Sequence, residues 1–177
     1  MTILNQKGFE ASLQDRVNNK LNSLLNNSNQ INDSIAYALS NPGKRVRPIL
    51  IYLVGDALKI PKNNLDSIAV ASEIIHTYSL VHDDLPCMDD DDLRRGKPTL
   101  HKKYSESTAV LAGDAMQSLA IQIILEDKNI SIEIKVMITK FLMKTIGHEG
   151  MILGLSLIHI SEPTRRYAIS YAVFCLK

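Results

Sequence analysis

Apolar residues recur at helical spacing along most of the chain. Phe9, Leu13, Val17, Leu21 and Leu24/Leu25 form one stripe with polar residues between them and no Gly or Pro, which predicts an amphipathic helix over 9–25. Residues 26–34 (NNSNQINDS) are a polar connector, and Ile35–Leu39 starts a second helix that Asn41-Pro42-Gly43 ends. A third helix is expected from Ile49 to Leu58, with Pro48 in its first turn, where a missing N–H is harmless. Pro61–Asn64 is a turn. Ile68, Ala71, Ile74, Ile75, Tyr78 and Val81 then trace a helix that Asp66 or Ser67 could cap. GKPTLH (96–101) is a loop. STAVLAGDAMQSLAIQIIL (107–125) is helical, with Ala112, Gly113 and Ala115 permitting close packing, and Ile134, Met137, Ile138, Phe141 and Leu142 mark a helix over 131–147. No strand-like alternation precedes residue 155 and no repeat is visible, so the class is all-α.

Composition narrows the options. A chain of 177 residues suits one domain with one core. Hydrophobic residues at 45% and charged ones at 22% are those of a globular protein. A net charge of +1 argues against a general nucleic-acid surface, so any basic character that matters is local. Cys87 and Cys175 show no metal-site or disulfide spacing. MTILNQKGFE lacks the basic start and apolar core expected of a signal peptide. No run of about 18 apolar residues suggests a membrane span, and a cytoplasmic location is expected.

The chemistry concentrates in residues 76–96, HTYSLVHDDLPCMDDDDLRRG. Asp83 and Asp84 close an apolar run, Asp89, Asp90, Asp91 and Asp92 follow, and Arg94-Arg95 comes next. Two anions about 4 Å apart repel by roughly 4 kcal/mol at an effective dielectric of 20. A nearby helix C-terminus disfavours negative charge further. Such a grouping makes sense around something positive, and Mg²⁺ holding a polyphosphate fits, because it takes one or two carboxylates, waters and phosphate oxygens. Asp83 and Asp89 are six positions apart and would diverge on an unbroken helix. If Leu85-Pro86-Cys87 bulges out by about two residues, they regain an i, i+4 relation. The competing possibility is a solvated acidic helix start with Asp90–Arg94 and Asp91–Arg95 pairs. An EF-hand fails, since the twelfth position from Asp89 is Leu100, not Glu.

Upstream, Lys44, Arg45 and Arg47 cluster at or just before a helix N-terminus. Free N–H groups and cations at one helix start make a phosphate site; a solvated basic turn is the alternative. His76, Ser79 and Asp83 share a helix face.

These segments resemble a family. His76–Gly96 resembles the first aspartate-rich motif of the trans-isoprenyl diphosphate synthases, Asp-Asp-x4-Asp followed by Leu-Arg-Arg-Gly. Gly43-Lys44-Arg45-Val46-Arg47-Pro48 resembles its upstream basic motif, although the family usually has Gly where this chain has Pro42, and Leu111-Ala112-Gly113-Asp114-Ala115 matches a further block. Within that family the motifs most resemble those of the bacterial farnesyl diphosphate synthases.

The resemblance implies the N-terminal part of the isoprenoid synthase helical bundle. It implies condensation of an allylic diphosphate (dimethylallyl or geranyl) with isopentenyl diphosphate, with Mg²⁺ as cofactor. Asp83 and Asp89 would bind metal with Asp84 nearby, and Arg94 would help hold the allylic diphosphate. Lys44, Arg47, His76 and Arg95 would hold isopentenyl diphosphate. Ser79 and Tyr78, four and five positions before Asp83, would form the floor that limits chain length. His82 and Asp114 are expected to be structural. A homodimer is the family habit. Geranylgeranyl or longer-chain synthesis, or a non-catalytic partner subunit, remain as alternatives; terpene cyclases have no need of the Lys44–Arg47 cluster.

The resemblance runs over residues 1–154 and stops there. Residues 155–177, with strand-like LIHI and YAISYAVF, match nothing in the family and are expected to be a non-native tail from adapter read-through or a frame break. The family's second aspartate-rich motif has no counterpart in this sequence, so the fragment is expected to fold poorly and to have little or no activity.

Overall fold

The computed structural model describes residues 3–25, 28–41 and 43–161. The chain order is α1 (Ile3–Asn22), α2 (Gln30–Leu39), α3 (Val46–Ala57), a 3-10 turn (Lys62–Asn64), α4 (Asp66–Asp83), β1 (Leu93–Arg94), β2 (Lys97–Pro98), α5 (Leu100–Lys103), α6 (Glu106–Glu126), α7 (Ile132–Ile146) and α8 (Met151–Ser161). The all-α expectation holds, and the helices found include every one expected.

Helices α4 and α6 are the central pair, and α2 and α3 pack around them. Ala69, Ala71 and Ile74 of α4 and Ala109, Ala112, Met116, Ala120 and Ile124 of α6 are inaccessible to water. The small residues bring the two backbones close. A Cβ at Gly113 would collide with the His82 ring, whose Nε2 lies 3.2 Å from the Val110 carbonyl. Helix α6 is long and apolar enough to cross a membrane by length and composition; one face of it packs on α4, with Ala109, Ala112, Met116, Ala120 and Ile124 fully buried there.

Helix boundaries depart from the sequence pattern where capping decides them. Helix α2 starts at Gln30, inside the expected connector, because the Asn29 side chain accepts from the Asn32 amide at 2.9 Å. Asp66 does not cap α4. It is the first helical residue, and its carboxylate takes Arg16 Nε at 2.7 Å, Tyr52 Oη at 2.7 Å and Lys20 Nζ at 3.2 Å. Burial alone would raise this carboxyl, and the three partners more than offset that, holding it below its ordinary range. One acid therefore ties α1 and α3 to α4.

Two expectations fail locally. Residues 93–98 form a two-stranded antiparallel hairpin, pairing Leu93 with Pro98 and Arg94 with Lys97. Arg95 (φ 54°) and Gly96 (φ 79°) are its turn, and positive φ at both is the primed geometry that suits strand twist. The strand-like residues 157–160 lie within α8, not in a strand. Pro42 and residues 162–177, including YAISYAVF, lie outside the described residues.

Two apolar rows face water. Val46, Leu50 and Val54 line one side of α3, continued by Leu58 at its C-cap, and Ile134, Met137 and Phe141 line α7, with Phe141 70% exposed.

Candidate active site

Helix α4 ends at Asp83, and Asp84 is its C-cap, its amide bonded to the Leu80 carbonyl at 3.0 Å. The chain then leaves the helix and returns. The Asp89 amide donates to the Asp83 carbonyl at 2.9 Å, and within the detour Met88 and Asp90 donate to the Leu85 carbonyl at 2.8 and 3.1 Å. The bulge expected at Leu85-Pro86-Cys87 is therefore real, and an i+6 amide stands where an i+4 amide would. The helix does not resume after it; the acidic run passes into the β1–β2 hairpin.

The two acids at the helix end differ in their partners. Both are buried, Asp83 at 6% exposure and Asp84 at 3%. Asp84 receives Arg94 from the hairpin, with Nε 2.7 Å from Oδ1 and 2.9 Å from Oδ2, and Nη2 on the same carboxylate. This is the fork geometry in which guanidinium and carboxylate are most strongly matched. Burial still pushes the Asp84 carboxyl up, against the pull of Arg94. Arg94 also faces Asp91 at 3.6 Å, so its partners are a non-local acid and an i+3 acid where the spacing had suggested Asp90.

The basic motif is sorted by direction. Arg45 is the N-cap of α3 in the left-handed region (φ 47°), and its side chain turns inward. Nη1 donates to Glu73 Oε1 at 2.8 Å, Nη2 to the Leu39 carbonyl at 2.7 Å and Nε to Asn18 Oδ1 at 3.0 Å. Gln14 Nε2 holds the Gly43 carbonyl at 2.8 Å. Helix α3 starts at Val46, three residues earlier than expected, and Pro48 is the third helical residue, where the N–H it lacks would have had no intrahelical acceptor.

Lys44, Arg47 and the paired Arg45 between them line a cavity of about 610 Å³ together with His76, Arg95, Glu73 and Gln14. A Cβ at Gly43 would strike the Arg95 guanidinium, so the glycine is what lets the hairpin arginine close onto the basic turn. Burial lowers the Arg47 guanidinium from its ordinary value; Glu73 opposes this and Arg95 adds to it. Burial, then Arg47, Arg95, Arg94 and Arg45, push the His76 imidazole down to about 3, so it is neutral at pH 7. A smaller cavity of about 30 Å³ adjoins, lined by His76, Arg95, Asp84, Arg94 and Asn41 among others, with room for a water.

The structure thus brings Lys44, Arg47, His76 and Arg95 to one cavity, and places Asp84 and Arg94 on the next. It joins Asp83 to Asp89 through the backbone. Tyr78 and Ser79 line neither cavity. Tyr78 is 1% exposed, its ring edge-on to His82 at 5.8 Å and its hydroxyl without a hydrogen-bond partner among the described residues; burial raises that hydroxyl to about 12. Ser79 Oγ bonds the His76 carbonyl at 2.8 Å. Glu73 and Gln14 were not singled out from the sequence, because nothing in their local spacing reveals a partner 28 or 29 positions away.

As donors, Asp83 and Asp89 offer hard oxygens only, which suits Mg²⁺. Asp84 is occupied by Arg94. A separate group, Asp90, Asp92 and His101, has ligand atoms within 4.8 Å of one another, but Lys102 already sits 2.8 Å from Asp92.

Comparison with known proteins gives first the class. The crystal structure of a geranyltransferase from Legionella pneumophila superposes with a TM-score of 0.82 at 42% identity, covering 91% of this chain and 58% of that one. The fold is the isoprenoid synthase helical fold. Residues 28–162 match the family model for polyprenyl synthetase, and the chain belongs to that family. It is 52% identical over 130 residues to farnesyl diphosphate synthase of Haemophilus influenzae, covering 73% of this chain and 44% of the relative. It is 47% identical over 126 residues to a chloroplastic geranylgeranyl pyrophosphate synthase of Catharanthus roseus, covering 71% of this chain and 35% of the relative. The chain spans about half the length of the curated relatives it matches.

Proposed function

We propose that the protein to which this segment belongs is a cytoplasmic, homodimeric prenyltransferase that joins an allylic diphosphate to isopentenyl diphosphate, giving farnesyl diphosphate. The observation that carries this is the cation-lined cavity at Lys44, Arg47, His76 and Arg95 beside the acidic helix end. Lys44, Arg47 and Arg95 would hold the diphosphate of isopentenyl diphosphate. His76, neutral before binding, would become a better donor as phosphate charge replaces cationic surroundings. Asp83 and Asp89 would hold Mg²⁺, which when bound supplies charge stabilisation to the departing diphosphate. Asp84 keeps Arg94 at the mouth of the acidic loop, where it would steady the allylic diphosphate. No side-chain nucleophile is required, since positioning and electrostatics in a dry pocket suffice. The proton lost at the end would go to the released diphosphate.

The test is incubation of the full-length protein carrying this segment with geranyl and isopentenyl diphosphates and Mg²⁺. A fifteen-carbon product is expected; no product at any Mg²⁺ concentration would reject the assignment. The segment alone is expected to give little or no turnover. The likeness to a geranylgeranyl synthase supports a second outcome, a longer product. Product analysis of the full-length protein, and of Tyr78→Ala in it, separates the two, and an unchanged chain length in that variant would remove Tyr78 from the floor of the pocket.

A further inference from the structure

We propose that Glu73 is a positioning residue for the basic pocket, holding Arg45 inward so that Lys44 and Arg47 present their charges to the ligand. This rests on the pocket being a diphosphate site. Glu73 is 3% exposed, stands one turn before His76 on α4, and lines both cavities. A buried carboxylate in the wall of an anion pocket is unfavourable unless it is paired and serves another purpose.

Its partner identifies that purpose. The Arg45 guanidinium is shared among Glu73 on α4, the Leu39 carbonyl of α2 and Asn18 of α1. The backbone of Arg45 sits at φ 47°, a conformation disfavoured for a residue with a Cβ. The buried pairing pins the side chain that goes with this kink. The kink in turn sets where α3 departs, and with it Arg47 two residues on. Arg45 lines both cavities while paired to Glu73; take away the Glu73 charge, and it is left as a buried cation with no counter-ion, free to gain by swinging out of its pairing into the open pocket and disturbing the turn.

Electrostatics alone predicts the opposite sign. Removing a negative charge from the wall should tighten anion binding; loss of positioning should weaken it. Calorimetric titration of the full chain with inorganic pyrophosphate decides between them. Glu73→Gln is expected to bind about tenfold more weakly with its helical circular dichroism intact. Equal or tighter binding by Glu73→Gln would overturn the inference. No binding by the unmodified chain would instead overturn the diphosphate pocket itself. If Glu73→Gln loses its helical signal, Asn18→Ala decides, because it touches the same guanidinium from a half-buried side. A weakening of about threefold supports the inference, and an unchanged affinity overturns it.

Discussion

The Asp89 amide donates to the Asp83 carbonyl at 2.9 Å across a six-residue detour. The backbone, not the side chains, sets how far apart these two acids stand. Losing one residue from Leu85–Met88 would turn Asp89 by about 100° relative to Asp83 if helical rise and twist took over. Asp89→Asn is expected to reduce Mg²⁺-enhanced pyrophosphate binding by at least about tenfold while leaving metal-free binding at the Lys44–Arg47 turn in place. Titrations with and without Mg²⁺ measure both, and an equal loss in each would count against a metal role for Asp89.

The His76 ring should remain neutral down to about pH 3 in the free chain. In the unfolded chain it protonates near the ordinary 6.5. Between those limits the unfolded state binds more protons, so stability is full above pH 6.5 and falls as the pH is lowered toward 3. Ring carbon and nitrogen shifts across a pH titration check the first statement. A shallower acid limb of the melting curve in His76→Gln checks the second. Pyrophosphate should raise the imidazole midpoint.

Tyr78 offers an unusual substitution. Its hydroxyl is buried without a partner among the described residues, so Tyr78→Phe should raise stability by about 1 kcal/mol, where a bonded tyrosine would lose it. Urea unfolding gives the sign.

Gly113 should tolerate no side chain. Gly113→Ala drives a methyl into His82 and should cost about 1–3 kcal/mol. His82→Ala made alongside should recover part of that loss, because the two share one contact.

Much of this fold was legible because long amphipathic stripes such as Leu13/Val17/Leu21 reach the core unaltered. Two motifs, Gly43–Pro48 and His76–Gly96, supplied the candidate site. What the sequence concealed was pairing at a distance. Asp66 has the look of a cap, and only the folded chain shows Arg16 and Tyr52 converging on it. Arg45 has the look of a third phosphate cation, and only the tertiary structure turns it toward Glu73. The hairpin was written locally as Arg95-Gly96, but two-residue strands leave too short a pattern to stand out beside the acidic run.

The uncovered row on α7 has a colloidal consequence. Water held against Ile134, Met137 and Phe141 is released when any second oily surface arrives, and a net charge of +1 supplies almost no long-range repulsion to keep copies apart. Concentration, more than temperature, should therefore set how long the chain stays dispersed.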